Sequence, residues 1–330
     1  MNTDNEPGFQ TLLPNDILGA IESAGFPCSG DLLALNSYEN RVYRAGLSSG
    51  ERIVAKFYRP GRWPDAAILE EHDFATALAQ LEVPVVPPIN ADGVTLHRHA
   101  DYRFALYDCK GGRWPELDNE ATLRQLGRLT ARIHLLGQTD RFVHRPAITL
   151  ESHGYDARDY LLDNEFIPDD LFDAYESLTD DLLQSLEARL DEIGTVGTLR
   201  IHGDLHPGNV LQDGEQLHIV DTDDVCNGPA VQDLWMFLSG DQQEQSRQLT
   251  PLLEGYESFR PFDYGELALI EPLRTLRLMH YAAWLARRWQ DPAFKQAFVW
   301  FDSVRYWSEH ILSLREQMAL LDEPPPHPGS

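Results

Sequence analysis

The chain has 330 residues, 42% of them apolar and 10% aromatic, enough for a sizeable core and too many for a globally disordered protein. With 53 Asp and Glu against 27 Lys and Arg the net charge is −26, a field that repels phosphate backbones and argues against nucleic acid as a partner. Cys28, Cys109 and Cys226 are scattered and form no CxxC pair, which fits a reducing compartment rather than a disulfide scaffold. The opening MNTDNEPGFQ has neither a basic nor an apolar leader region, and no apolar run approaches the roughly 18–20 residues that span a bilayer, so a cytoplasmic chain without signal peptide or membrane span is expected.

In chain order, residues 14–26 (PNDILGAIESAGF) read as a short helix with Asn15 or Asp16 as N-cap and Gly25 as stop. Alternation then takes over. LLALNSYENRVYRAGL, the turn SSGER and IVAKFY read as a hairpin or meander, broken by Pro60 and Gly61. Residues 66–81 return to helical spacing, with Ile68, Phe74, Ala75 and Leu78 on one face. VPVVPPI and YRFALYDC read as further strands, and GGR at 111–113 punctuates the chain, placing a lobe boundary near Cys109–Arg113.

Beyond it the chain is mostly helical: 122–137 with Leu126, Leu129, Ile133 and Leu136 on one stripe, and 169–193 as a long acidic helical stretch, continuous or interrupted, with a solvated outer face. Two short strands surround LHIVDTDD, and PAVQDLWMFLSG and EPLRTLRLMHYAAWLARRW read as buried helices, Tyr281, Trp284 and Trp289 being core aromatics. The Pro-rich tail EPPPHPGS is expected to be disordered.

Residues 201–210, IHGDLHPGNV, suit neither a strand nor a helix. Asp204 and Asn209 stand in a D-x-x-x-x-N spacing, that of a kinase catalytic loop, where the aspartate orients the acceptor hydroxyl and the asparagine holds magnesium. Pro207 and Gly208 supply the irregular backbone that lets two side chains converge. Asp221 follows twelve residues later at the end of a strand-like run, where a carboxylate can reach the same ion. Magnesium favours hard oxygens and keeps several waters, so one carboxylate, one amide oxygen and ATP phosphates suffice. His202 and His206 stand at i and i+4, but Pro207 and Gly208 oppose a helical zinc pair and no third ligand is well spaced, so His202 is read as buttressing the loop.

HGDLHPGN followed by IVDTDD resembles the phosphotransferase motif of aminoglycoside and choline kinases, an atypical branch of the protein-kinase fold. Together with LNSYENRVY, VAKFYRPGRW, ILEEH and NGPAVQDLWM it is similar, over roughly residues 9–325, to the bacterial stress response kinase A family of atypical serine/threonine protein kinases linked to envelope stress. The resemblance implies an α+β, two-lobed protein-kinase-like fold, with a small antiparallel β lobe (1–108) and a larger, mainly helical lobe (109–330). It implies Asp204 as proton acceptor, Asn209 and Asp221 as magnesium ligands with Asp221 also needed for transfer, and Lys56 on the ATP phosphates. Glu71, preferred to Glu70 for its helical register with Phe74, Ala75 and Leu78, would hold Lys56. Ser37 would touch ATP, and the backbone of about Tyr107–Lys110, Cys109 included, would meet the adenine.

The chain departs from ordinary protein kinases in having NSYENR where G-x-G-x-x-G is usual, and no A-P-E. The expected partners are ATP, Mg2+ and a protein Ser/Thr acceptor, with autophosphorylation open and a monomeric state. A small-molecule hydroxyl kinase and a nucleotide-binding pseudokinase are the alternatives; intact Lys56, Asp204, Asn209 and Asp221 speak against the second. Asp223 and Asp224 stand equally as site residues or as turn caps, and Asp233 is read as bracing the loop.

Overall fold

The computed structural model describes residues 9–329. Residues 1–8, on which the expectation of no leader peptide largely rests, lie outside that range. In chain order, α1 (Pro14–Ser23) precedes β1 (Cys28–Ala34), β2 (Arg41–Leu47) and β3 (Arg52–Phe57), and α2 (Asp65–Gln80) precedes β4 (His97–His99) and β5 (Tyr102–Asp108). Then follow α3 (Glu120–Gly137), a π-helical turn at Glu151–Tyr155 running into α4 (Asp156–Asp163), α5 (Asp169–Ile193), β6 (Leu199–Ile201), β7 (Val210–Asp213) and β8 (Gln216–Ile219). The chain finishes with β9 (Cys226–Gly228), α6 (Gln232–Trp235), α7 (Gln242–Glu257), α8 (Ile270–Arg287), α9 (Pro292–Ala297) and α10 (Val304–Leu320). Two compact units result: residues up to 116 with 142–145 and 206–225, and residues 117–141, 146–205 and 226 onward.

The first unit is built on a five-stranded antiparallel sheet of order β1-β2-β3-β5-β4. The two-residue period of β3 sorts its side chains. Ile53, Ala55 and Phe57 join Ile17 and Ile21 of α1 and Phe104 of β5 in one apolar cluster. Val54 and Lys56 therefore point to the opposite face. The N-terminal helix is capped two or three residues earlier than expected: Leu13 is the N-cap, Pro14 opens the helix, and the Asp16 carboxylate accepts from the Leu13 amide at 3.0 Å. Residues 83–89 form no strand. The Val86 amide donates to the Ile219 carbonyl (3.0 Å) and Ile219 to the Pro84 carbonyl (2.8 Å), leaving isolated bridges. Pro84, Pro87 and Pro88 lack the donors a ladder needs.

In the second unit α3 and α7 approach closely where Gly127 and Gly255 face each other's backbone: a Cβ on Gly127 would lie 1.9 Å from the Leu252 carbonyl oxygen, and one on Gly255 2.0 Å from that of Arg124. α5 is one unbroken helix of 25 residues, its stripe of Tyr175, Leu178, Leu182, Leu183 and Leu186 buried and its acids outward. That stripe packs with Met279 of α8 and Trp307 and Leu314 of α10. The helix expected across 229–240 contracts to the four residues of α6. Trp284 packs against this core, but Tyr281 is 41% exposed and is not a core aromatic. The Pro-rich tail lies along α7: the His327 amide donates to Ser246 Oγ (3.2 Å) and the Gly329 amide to Thr250 Oγ1 (3.1 Å). Pro326 is buried.

Candidate active site

In the first unit a buried lysine is enclosed by acids. Lys56 Nζ lies 3.1 Å from Asp223 Oδ1, 3.2 Å from Asp221 Oδ1 and 3.7 Å from Glu71 Oε1. Burial alone would lower the ammonium's pKa, and the carboxylates of Asp223, Glu71 and Asp221 more than reverse this, so Lys56 is held protonated. Glu71 is pushed up by its own burial and drawn back by Lys56; Thr222 Oγ1 donates to its Oε1 at 2.9 Å, while Oε2 is buried without a hydrogen-bond partner. Glu70, one residue away, points elsewhere and accepts from the amides of Val143, His144 and Arg145 at 2.7–3.0 Å. The helical register therefore selected the right member of the pair to face Lys56.

Asp221 has left-handed backbone (φ 59°, ψ 66°), costly for a residue with a Cβ, and its side chain stays 54% exposed. Two residues on, Asp223 is buried. It pairs with Arg62, accepts from Asn40 Nδ2 at 3.0 Å, and gives its carbonyl to Arg145. Burial works to raise its pKa, but Lys56, Arg62 and Arg145 lower it, so it is an anion. Asp224 is half-exposed on Arg62. Arg59 and Arg62 also hold Glu39, and Asn40 Oδ1 accepts from the Arg59 amide at 3.1 Å. The segment Asn36–Asn40, which stands where a glycine-rich loop is usual, is thus tied down by side chains instead of being freed by glycine.

A cavity of about 260 Å³ opens over these groups, lined by Ser37, Val54, Lys56, Tyr107, Asn209 and Asp221 among others. Ser37 Oγ donates to the Asn40 carbonyl at 3.3 Å. Asp108 and Lys110 also line it; Cys109 is not among its lining residues. The Tyr107 hydroxyl meets the Tyr58 hydroxyl (3.0 Å), which is bonded in turn to His72 Nε2 (2.7 Å), and burial pushes His72 down to about 3. The donor set fits a nucleotide with its ion: one ammonium for phosphate, and the amide of Asn209 and carboxylate of Asp221 as hard oxygen ligands. Among the described residues no group of three or more His, Cys, Asp or Glu is placed to hold a metal by itself.

The second unit carries Asp204. Gly203 before it is left-handed (φ 82°), and the amides of His202 and Gly203 donate to the two oxygens of Asp233 at 2.7 and 2.8 Å. Asp233 is fully buried and is itself held by His134 Nε2 (3.1 Å), whose Nδ1 meets Tyr256 OH (2.9 Å). The Asp204 carboxylate pairs with Arg277 of α8 at 2.7 Å and keeps 24% exposure.

Comparison with known proteins fits this arrangement. The phosphotransferase enzyme family matches residues 31–270. Stress response kinase A of Escherichia coli (strain K12) is 45% identical over 318 residues, 96% of each chain. The chain belongs to the stress response kinase A family. Within that family, the serine/threonine protein kinase RdoA of Salmonella typhimurium (strain LT2) is 43% identical over 325 residues, 98% of this chain and 97% of its own. Among solved structures, an amicoumacin kinase in complex with AMP-PNP, Ca2+ and Ami shares the fold at a TM-score of 0.69 and 21% identity, covering 94% of both chains. As a member of the stress response kinase A family the chain is an ATP-dependent phosphotransferase of protein-kinase-like fold. Among the described residues no helix is long and apolar enough to cross a membrane.

Asn40, Arg62, Arg145 and Arg277 have no role assigned from the sequence, where Asp223 stands equally as site residue or turn cap. The available signal was the run YRPGRW: two arginines flanking a Pro-Gly break in an acidic chain are more than a turn needs.

Proposed function

We propose that the chain is a serine/threonine protein kinase that transfers the γ-phosphoryl group of Mg·ATP to a hydroxyl, acting in the cytoplasm as a monomer in a bacterial envelope stress response. The observation that carries the transfer chemistry is the buried Lys56 ringed by Glu71, Asp221 and Asp223 beside the cavity that Asn209 and Ser37 also line. The protein acceptor rests on the relative named a serine/threonine protein kinase. Functionally, 1–108 serves as the ATP-gripping lobe and 109–330 as the catalytic and substrate lobe.

In this reading Lys56 neutralises phosphate charge while Glu71 fixes its stem. Ser37 and the backbone near Tyr107 and Cys109 seat the nucleotide, and Asn209 and Asp221 hold magnesium. Held by those two residues, magnesium would supply positive charge to offset that of the phosphates. Asp204 accepts a hydrogen bond from the attacking hydroxyl, aligns it and takes its proton late. Asp233, through its two amide contacts, keeps the Asp204 loop in shape.

The test is to incubate pure protein with γ-labelled ATP and magnesium, offering generic proteins and a panel of small hydroxyl compounds in parallel, with Asp204→Asn as control. Label on Ser or Thr of protein that falls about 10³-fold in the control, with ATP affinity kept within about 3-fold, supports the proposal. Label only on small molecules would move the acceptor to that class. Absent turnover would leave a nucleotide-binding protein, and turnover that needs no magnesium would remove the ion from the mechanism.

A further inference from the structure

The helix that supplies Arg277 is unusual for so acidic a chain. From Ile270 to Arg287 it carries three arginines, 274, 277 and 287, with Arg288 as its C-cap, against one acid, Glu271, in a molecule of net charge −26. Glu271 is occupied, by Arg274 at 3.5 Å and by Gln317 of α10. Arg277, Tyr281 and Trp284 recur at i, i+4 and i+7 and so share one face, and Arg288 caps the helix eleven residues after Arg277. Arg277 and Tyr281 are 43% and 41% exposed, and the Tyr281 and Trp284 rings stack at 5.6 Å between centroids. Beside this face Arg287 gives its guanidinium to the Asp156 carbonyl (3.1 Å) and covers the Tyr160 ring, with the Asp156 side chain also near it. His280 stacks on His153 of the π-helical turn at 4.3 Å, and its buried Nδ1 has no hydrogen-bond partner. The row begins on the Asp204 carboxylate itself.

We propose that this face of α8 with its C-cap, from Arg277 to Arg288, recognises the acceptor, and that the acceptor is a Ser or Thr in an acidic polypeptide segment. The inference rests on the reading of Asp204 as the group that orients the acceptor hydroxyl. The molecule's overall field repels an acidic partner, so one can dock only where cations are gathered locally, and α8 gathers them next to Asp204. The length of the row argues for a polypeptide over a small anion. Eleven helical residues at 1.5 Å each span about 16 Å, matching about five extended residues. Arg277 is the specificity-determining residue: an incoming carboxylate takes its guanidinium in a fork-to-fork pair, leaving the Asp204 oxygens to accept from the hydroxyl. Tyr281 and Trp284 give the peptide stem an apolar platform.

The test uses the full chain and five-residue-flanked Ser peptides that are Asp/Glu-rich, neutral or Lys/Arg-rich. Two readouts are taken: anisotropy of the labelled peptide at physiological ionic strength, and kcat/KM for its phosphorylation. The acidic peptide should bind and react at least about 10-fold better than the neutral one. Arg277→Glu with Arg288→Glu should reverse the order toward the Lys/Arg-rich peptide, while circular dichroism and Arg288→Lys report an intact fold and retained preference. Equal or better use of neutral or basic peptides by the unaltered protein, or an order unchanged in the charge-reversed variant, overturns the inference and leaves the kinase reading standing. Acidic peptide bound but never phosphorylated supports the docking face and refutes the protein-kinase reading. Exclusive labelling of small hydroxyl carboxylates overturns the polypeptide in favour of a small anion.

Discussion

Lys56→Met removes the ammonium and keeps most of the stem's volume, so its cost reports the charges. At 3.1 to 3.7 Å and an effective dielectric near 20, each of the three pairs is worth about 4–5 kcal/mol before desolvation. The share from Asp221, 54% exposed, is screened to about 1 kcal/mol or less. Asp223 keeps Arg62 and Asn40. Glu71 keeps Thr222 and the weaker pull of Arg145 but loses its principal cation, so one buried carboxylate is largely stranded. After subtracting the several kcal/mol released by no longer desolvating the lysine, a net loss of about 3 kcal/mol at pH 8 is expected, the lower end for broken buried pairs. The pH dependence has a definite sign. Burial raises Glu71 above its ordinary 4.5, and without Lys56 nothing as close opposes that rise. An acid whose folded pKa is raised binds its proton more tightly when folded, so stability falls as pH rises from 4.5 through the folded value. The deficit of Lys56→Met is therefore smaller at pH 5 than at pH 8. The double variant Lys56→Met, Glu71→Gln removes the stranded charge and should recover at least about half the loss. Urea unfolding followed by tryptophan fluorescence at the two pH values measures all three proteins. Equal midpoints for Lys56→Met and the parent at pH 8, or a double variant no more stable than the single, would refute this electrostatic account of the pocket.

Asp221→Asn retains a residue tolerant of left-handed backbone, so the melting temperature should move by no more than about 2 °C, while the magnesium concentration for half-maximal ATP turnover rises about 10-fold or more and the rate falls about 100-fold, read from a magnesium titration. Gly127→Ala places a methyl 1.9 Å from the Leu252 carbonyl, a backbone atom that cannot turn aside, and should cost about 2–3 kcal/mol, seen as a melting temperature lowered by at least about 4 °C. Glu266, buried where it accepts from the Val231 amide at 2.8 Å, is pushed by that burial from 4.5 to about 7. Its protonated form stabilises the fold at low pH, so stability should fall by up to about 3 kcal/mol between pH 4.5 and 7.5, and Glu266→Gln should flatten that slope in unfolding measured across the range.

The candidate residues were legible to the extent that they are written in local spacing. HGDLHPGN and IVDTDD carry Asp204, Asn209 and Asp221 on short stretches that suit neither a strand nor a helix. Helical register was enough to choose Glu71 over Glu70, because a one-residue step turns a side chain by about 100°. Asp223 stayed undecided because its role depends on Arg62, 161 residues away in the chain, and on Asn40, 183 away. Residues 83–89 read as a strand from their valines, yet the prolines had already removed the donors. The tail read as free from its composition, while its amides reach Ser246 and Thr250 on α7.

By itself, then, the sequence determined the kind of chemistry, the alternation that turns Lys56 away from the α1 core, and the order of a β-rich and a helical part, since all three follow from near-neighbour geometry. Only the tertiary structure decided which charges meet: that three acids share Lys56, that Arg62 secures Asp223, and that Arg277 rests on Asp204. Such pairings cost desolvation and return it only at contact distance, and contact between residues far apart in the chain is set by how whole elements pack, not by any local pattern.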